Sequence, residues 1–175
     1  TDKVIVSGFN DVEALEGHFR QYGDELACFI LEPFLGVGGF APASAEYLRA
    51  ARRLTEQHGV VLILDEVISG FRFRAGDAGG MYGLRPDLLT LGKVIGGGMP
   101  VAAVAGRAEI MNLAGRSRGS RVRFSGGTYS AHPASMLAAR AMLGHLAAHE
   151  AEIYPRLAAL GERASPDARR RRGGV

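Results

Sequence analysis

Hydrophobic residues recur at helical spacing in two segments near the start of the chain. The first segment follows Asn10, a favourable N-cap residue, and ends at Gly23. The second follows Ser44 and ends at Gly59. The predicted inner faces consist of Val12, Leu15 and Phe19 in the first helix and of Tyr47, Leu48, Ala51 and Leu54 in the second. Each pattern predicts an amphipathic helix that packs one face against a core.

Short apolar runs without helical spacing lie between and after these helices. Residues 26–31 and 60–64 are continuous apolar runs bounded by turn residues, which is typical of buried strands. Residues 65–83 are rich in Gly and Arg and are predicted to form a loop with one short helix near Met81. Further predicted elements are strands at 87–91 and 101–105, a helical turn at 108–113, and helices at 134–146 and 150–163. The alternation predicts an α/β fold with a mainly parallel sheet and flanking helices.

The composition is that of a globular domain with a basic end. The chain has 175 residues, of which 47% are hydrophobic and 22% are charged. The net charge is +3, but four of the 21 basic residues form the run Arg169 to Arg172, and without them 17 basic residues face 18 acidic ones. Residues 165–175 have no apolar face and are expected to form a disordered basic tail. Because no aromatic residues are interspersed in this run, we do not expect it to bind nucleic acid. A nucleic-acid-binding protein is kept as the least favoured alternative.

Two further classes are excluded by simple counts. Cys28 is the only cysteine, so an intrachain disulfide and a cysteine-based zinc site are both excluded, and we expect Cys28 to be buried as a small hydrophobic residue. No apolar run approaches the roughly 20 residues of a membrane span, and no signal peptide is evident, so we expect a cytoplasmic protein without membrane contact. The chain begins with Thr1 in mid-pattern, from which we expect either a fragment or a processed chain.

Charged residues stand at the ends of three predicted strands. These residues are Glu32, Asp65 and Lys93. In parallel α/β sheets, ligands bind outside the carboxyl ends of the strands, so this edge is the predicted site. The pair Asp65-Glu66 has three interpretations: a metal site, a carboxylate pair for acid–base chemistry, or a structural cap.

The sequence around Lys93 excludes a P-loop but is compatible with Schiff-base chemistry. A P-loop requires glycine where Asp87 stands and Ser or Thr where Val94 stands. Lys93 is either an ordinary surface lysine or, among glycines and apolar residues, a free amine for Schiff-base chemistry. An acid at a neighbouring strand end, Asp65, suits a pyridinium nitrogen. The two residues together therefore fit a pyridoxal phosphate site.

Four segments carry a resemblance to a known family. Residues 64–72 read LDEVISGFR, and residues 86–100 read PDLLTLGKVIGGGMP. Glu32-Pro33 precedes a glycine loop, and residues 126–130 read GGTYS. Along the chain these four segments resemble motifs of the class III aminotransferases, in the order in which that family has them, over roughly residues 1–164. The resemblance implies part of the large domain of the fold type I, aspartate-aminotransferase-like architecture, with pyridoxal 5′-phosphate as cofactor.

The resemblance also implies residue roles. Lys93 is expected to form the Schiff base with the cofactor and then to move the proton on the substrate carbon. Asp65 is expected to pair with the pyridine nitrogen, and Val67 to pack against the ring. Thr128 is expected to contact the phosphate, in this family usually that of the neighbouring subunit of a homodimer. Lys93 and Asp65 are thus the predicted catalytic residues, and all four are predicted to bind the cofactor.

Ile68 and the length of the chain refine the expected function. Within this resemblance, the apolar Ile68, where some aminotransferases have glutamine, points to the branch that is like glutamate-1-semialdehyde 2,1-aminomutase and the enzymes of β-amino acids. The alternatives are transfer between molecules from a β- or ω-amino acid and a catalytically inactive fragment. The substrate is expected to be a small amino acid or amino-aldehyde. Family members are about twice as long or more, so residues 1–164 are expected to lack a phosphate-binding loop and a C-terminal domain.

The remaining candidate residues have plain structural interpretations beside their functional ones. Arg72 and Arg74 are either carboxylate ligands or solvated loop residues. His132 is either at the edge of the site or an ordinary helix-start residue. His145 and His149 are four residues apart, but without a third ligand we expect a solvated helix face rather than zinc.

Overall fold

The computed structural model describes residues 4–115, 122–123 and 126–164. In chain order its strands are β1 (Cys28–Leu31), β2 (Phe34–Leu35), β3 (Ala41–Pro42), β4 (Val61–Glu66), β5 (Leu88–Leu91), β6 (Ala103–Gly106), β7 (Ala114–Gly115) and β8 (Val122–Arg123). The α-helices are α1 (Val12–Tyr22), α2 (Ala45–His58), α3 (Ala108–Met111), α4 (Pro133–Ala148) and α5 (Glu150–Ala164). Three 3₁₀ helices cover Gly23–Glu25, Gly79–Tyr82 and Lys93–Gly96.

The central sheet has four strands in the order β1-β4-β5-β6. Strands β1, β4 and β5 are parallel, whereas β6 runs antiparallel to β5. The expectation of a mainly parallel sheet with flanking helices is confirmed. The short helix expected near Met81 is the 3₁₀ helix Gly79–Tyr82. The strand predicted at 101–105 is shifted to Ala103–Gly106.

Helices α1 and α2 cover one face of the sheet and form the core with it. The predicted inner face of α2 is confirmed, because Tyr47, Leu48, Ala51 and Leu54 are all buried. Leu15 and Phe19 of α1 join this core. From the sheet, the alternate residues Leu62 and Leu64 of β4 point into it, as expected for a strand whose successive side chains point to opposite faces.

On the opposite face of the sheet, the residues of β4 are half-buried and those of β1 are exposed, which corrects the expectation for Cys28. Cys28 is exposed rather than buried. Strand β1 lies at the edge of the sheet, and alternation turns Cys28 and Ile30 away from the core, while only Leu31 of this strand is buried. The apolar composition of residues 26–31 therefore indicated a strand correctly but overstated its burial.

The predicted boundaries of α1 and α2 are confirmed except at the N-cap of α1. Ser44 caps α2, since its Oγ accepts a hydrogen bond of 3.0 Å from the Tyr47 N–H, and Gly59 ends α2 in the left-handed conformation with φ 66°. The N-cap of α1 is Asp11, not Asn10. Asn10 instead bonds residues far along the chain, because its side chain donates to Pro42 O and accepts from Ser44 N.

The C-terminal part adds two further helices, close to the predicted positions. α4 begins at Pro133 and contacts the segment that follows β5, while α5 docks through the Tyr154 hydroxyl, which donates to Phe71 O. The basic tail 165–175 and most of the polar segment 115–123 lie outside the described residues. No helix in the described part of the chain is both long and apolar enough to cross a bilayer.

Candidate active site

Asp65 lies at the carboxyl edge of the sheet and is held by two hydrogen bonds to one oxygen. Its Oδ1 accepts from the Thr90 hydroxyl at 3.0 Å and from the Val67 N–H at 3.1 Å. Asp65 and Thr90 are register partners on β4 and β5, so the sheet itself brings them together. Both described bonds fall on Oδ1, which leaves Oδ2 of this half-buried carboxylate available to a donor from a ligand.

Lys93 follows β5 after a single residue, Gly92, and begins the 3₁₀ helix Lys93–Gly96. Its φ of 47° is rare for a residue with a side chain, and such backbone strain is found more often at functional sites than elsewhere. The apolar burial expected around Lys93 is not present within this chain, because the residue is exposed. Lys93 is three residues beyond Thr90, which limits their Cα–Cα distance to about 11 Å.

Gly92 brings Val67 close to the backbone beside Lys93. A Cβ atom at position 92 would lie 3.3 Å from Cγ1 of Val67, closer than most real contacts of this kind. A larger residue at 92 would therefore push Val67 away from this edge. The structure thus places Asp65 and Lys93 at one edge of the sheet, as the sequence predicted, and Val67 lies with them.

Thr128 is not joined to this edge by any hydrogen bond among the described residues. It lies exposed in the turn before α4, where the Gly127 N–H donates to Ser130 Oγ at 2.7 Å. Helix α4 does reach the segment after Lys93, since a Cβ at Gly97 would lie 3.3 Å from Ala138 O. The phosphate contact of Thr128 therefore stays a prediction.

The third charged strand end, Glu32, bonds its own loop. Its Oε2 accepts from the Gly36 N–H at 3.0 Å, which fixes the start of the β2–β3 hairpin. The described hydrogen bond of Glu32 is therefore made within its own loop and not to Asp65 or Lys93.

Glu66 has a different role from Asp65, although from the sequence the two residues are interpreted only as a pair. Successive strand residues face opposite sides, so Asp65 and Glu66 do not form a carboxylate pair. Glu66 is fully buried on the covered face, and its carboxylate accepts the N–H groups of Ala78 and Gly79, each at 2.9 Å. These groups open the 3₁₀ helix Gly79–Tyr82, so the structural-cap interpretation is confirmed for Glu66. Burial raises the pKa of Glu66 against the opposing effect of these hydrogen bonds.

The remaining candidate groups are the histidines around α4 and the two arginines of the loop after β4, Arg72 and Arg74, which are both exposed. Within the described residues, no cluster of three His, Cys, Asp or Glu side chains could hold a metal ion. His145 and His149 contact each other along α4, with ring centroids 4.4 Å apart. His132 precedes α4 without a side-chain cap, and Arg72 is exposed with its Nε donating to Ile68 O.

Comparison with known proteins identifies the family. Residues 2–165 match the family described as aminotransferase class-III. The chain belongs to the class III aminotransferases. It is 42% identical over 165 residues to a glutamate-1-semialdehyde 2,1-aminomutase of Rhodopirellula baltica, and the match covers 93% of this chain and 36% of that protein.

Solved structures agree in fold. An omega-transaminase from Sphaerobacter thermophilus matches with a TM-score of 0.85 and 40% identity, over 93% of this chain and 36% of that one. A transaminase with PLP bound matches with a TM-score of 0.74 and 39% identity, over 81% of this chain and 33% of that one. The class III chain described here therefore has the α/β fold of these enzymes and spans about a third of their length.

Proposed function

We propose that residues 1–164 are the central part of the cofactor-binding domain of an enzyme that uses pyridoxal 5′-phosphate to move an amino group. The proposal is supported above all by the meeting of Asp65, Val67 and Lys93 at one sheet edge, with Asp65 held by Thr90. A family whose structural relatives include a transaminase with PLP bound supports the choice of cofactor.

The residues at this edge fit the cofactor by their donor and acceptor chemistry. When bound, pyridoxal phosphate supplies an electron sink that stabilises negative charge on the substrate carbon. Asp65 offers a carboxylate oxygen without a described partner, suited to the protonated pyridine nitrogen. Val67 offers an apolar surface beside Gly92 for one face of the ring. Lys93 offers the amine that holds the cofactor.

Proton movement is assigned to Lys93. Among the residues that the structure describes, Lys93 is the only lysine, and the chain's other lysine is Lys3. An amine close to the substrate carbon can remove a proton there and return it at a neighbouring carbon. The start of a 3₁₀ helix directly after Gly92 anchors the lysine backbone while its side chain stays exposed and free to turn. In the intact enzyme, which we propose to be a homodimer, Thr128 binds the phosphate of the partner's cofactor.

The reaction we propose is that of glutamate-1-semialdehyde 2,1-aminomutase, with an amino-aldehyde as substrate. This choice is supported by the aminomutase relatives and by the apolar Ile68. The second candidate is transfer between molecules from a β- or ω-amino acid, which the likeness to an omega-transaminase favours. The third candidate is that this chain is inactive by itself, which is supported by its span of about a third of its relatives.

Product analysis separates these candidates. The chain is incubated with pyridoxal phosphate and either glutamate-1-semialdehyde alone or an ω-amino acid together with pyruvate. The proposed mutase converts the semialdehyde to 5-aminolevulinate without a second substrate. Alanine formed from pyruvate indicates the transaminase instead. If neither product exceeds that of Lys93→Ala, the chain alone is inactive.

A further inference from the structure

Glu66 is a buried acidic residue that has no role in the proposed reaction. Its side chain is fully buried, and three donors converge on its carboxylate. Oε2 accepts from Ser69 Oγ at 2.8 Å and from Ala78 N at 2.9 Å, and Oε1 accepts from Gly79 N at 2.9 Å. The carboxylate acceptor is therefore well matched to the donors around it.

These donors come from both ends of the loop 67–79. Ser69 lies at its beginning and Ala78 and Gly79 at its end, so one carboxylate closes the loop. The Glu66 backbone carbonyl also accepts from Gly70 N at 2.9 Å. A Cβ at Gly79 would lie 2.6 Å from Leu64 Cδ1, so the end of the loop lies directly against β4.

The loop also packs against the glycine-rich β2–β3 hairpin. Ile68 packs on the hairpin at Gly36, where a Cβ would lie 2.3 Å from Ile68 Cδ1. Phe73 packs on Phe34 with a ring-centroid distance of 4.7 Å. The same loop begins with Val67, which contacts Gly92 next to Lys93. The position of Ile68 and of the hairpin therefore depends on the closure of the loop.

We propose that Glu66 is a positioning residue, which closes the loop 67–79 and thereby holds Val67 and Ile68 at the cofactor edge. The link to the cofactor rests on the proposed function, whereas the placement of Ile68 against Gly36 does not. A glutamine at this position has one oxygen and one NH2 group, so in either orientation its NH2 group faces at least one of the two backbone N–H donors. Glu66→Gln therefore tests closure with little change in size.

The test uses the full 175-residue chain without cofactor, labelled at isoleucine methyl groups for NMR. In the wild type we expect a nuclear Overhauser effect between an Ile68 methyl group and the Gly36 α-protons. In Glu66→Gln this effect is lost, and amide exchange at Ala78 and Gly79 rises about tenfold relative to Leu62. The matched control is Asp87→Asn, a comparably buried and hydrogen-bonded acid outside the loop, which keeps the effect.

Each outcome decides the proposal. Retention of the Ile68–Gly36 effect in Glu66→Gln overturns it, and so does an equal loss in Asp87→Asn, which shows general destabilisation. If Glu66→Gln does not fold, Ser69→Ala removes one donor only. Faster exchange at Ala78 then supports closure by the carboxylate, and unchanged exchange overturns it.

A second readout connects Glu66 with the site and keeps the two proposals separate. Pyridoxal phosphate is added, the adduct is reduced with borohydride, and labelling of Lys93 is measured. Labelling falls several-fold in Glu66→Gln but not in Asp87→Asn, and equal labelling in both variants overturns the link to the cofactor edge. If the wild type is not labelled at Lys93, the proposed function fails, and the Ile68–Gly36 effect still decides the role of Glu66.

Discussion

The hydroxyl of Thr90 donates a 3.0 Å hydrogen bond to Oδ1 of Asp65 across two neighbouring parallel strands. The bond joins the acid that we assign to the pyridine nitrogen to the strand that leads into Lys93. The same oxygen accepts the N–H of Val67, so the carboxylate is held from its own strand and from the next one. The orientation of Asp65 therefore depends on the pairing of β4 with β5.

Replacement of Thr90 by valine removes this bond while keeping the branched shape. We expect the free energy of unfolding to fall by about 1 kcal/mol, because one hydrogen bond to a half-buried carboxylate is lost. We also expect weaker borohydride-trapped labelling of Lys93 by pyridoxal phosphate. Thr90→Ser keeps the hydroxyl and serves as the control. Labelling of Thr90→Val at the level of Thr90→Ser would show that Asp65 needs no such support.

Gly70 closes the turn after Asp65 and Glu66 where no side chain fits. An added Cβ would lie 2.8 Å from the Glu66 carbonyl oxygen, which cannot withdraw without breaking its bond to the Gly70 N–H. We expect Gly70→Ala to lower the free energy of unfolding by about 1–3 kcal/mol. Gly144 lies inside α4 with open space around it, so Gly144→Ala should raise stability by up to about 1 kcal/mol. Urea denaturation of both variants measures the difference, and equal effects would contradict the assigned crowding at Gly70.

Asp87 makes stability depend on pH at the opposite end of β5. Burial of its carboxyl opposes ionisation, but hydrogen bonds from Leu62 N–H, Arg107 and Arg52 outweigh it and lower the pKa of Asp87 below its usual value. Both arginine contacts are 3.0 Å long. The unfolded chain therefore takes up this proton more readily than the folded chain. The stabilisation is fully present above about pH 3.9 and is lost as the pH falls through the lowered folded pKa.

The measurement for Asp87 is the free energy of unfolding as a function of pH. Asp87→Asn should cost about 1–3 kcal/mol at neutral pH, because a buried carboxylate that accepts hydrogen bonds from two arginines and a backbone N–H is lost. The difference between wild type and variant should shrink as the pH is lowered below about 4. A difference that stays constant down to the acid limit would contradict the assigned ionisation.

Local sequence signals predicted most of the fold but missed contacts between distant segments. Helix α2 begins after Ser44 and ends at Gly59 as predicted, because capping depends on a few adjacent residues. Asn10 does not cap α1, because its side chain bonds Pro42 and Ser44, more than thirty residues away. Cys28 is exposed because β1 lies at the sheet edge, a property of strand order that composition does not contain.

The same limit applies to the candidate site. Asp65 and Lys93 were predictable because both follow apolar strands, and parallel strands bring their carboxyl ends to one edge. The hydrogen bonds of Glu66 were not predictable, because its backbone partners, Ala78 and Gly79, follow it only after a loop of more than ten residues. One signal in the sequence could have distinguished the two acids. Successive residues of a strand point to opposite faces, so Asp65 and Glu66 could not both face the site. The phosphate contact expected of Thr128 stays a prediction, because no described hydrogen bond joins Thr128 to the edge that carries Asp65 and Lys93.

The most direct test of the account is the site of covalent attachment of pyridoxal phosphate. The purified chain is mixed with the cofactor, reduced with borohydride and digested, and the adduct is mapped by mass spectrometry. Because Lys3 and Lys93 are the only lysines, Lys3 is an internal control for unspecific labelling. We predict an adduct on Lys93 that far exceeds that on Lys3 and that weakens in Asp65→Asn. Equal labelling of Lys3 and Lys93, unchanged in Asp65→Asn, would contradict a formed cofactor site at this edge of the sheet.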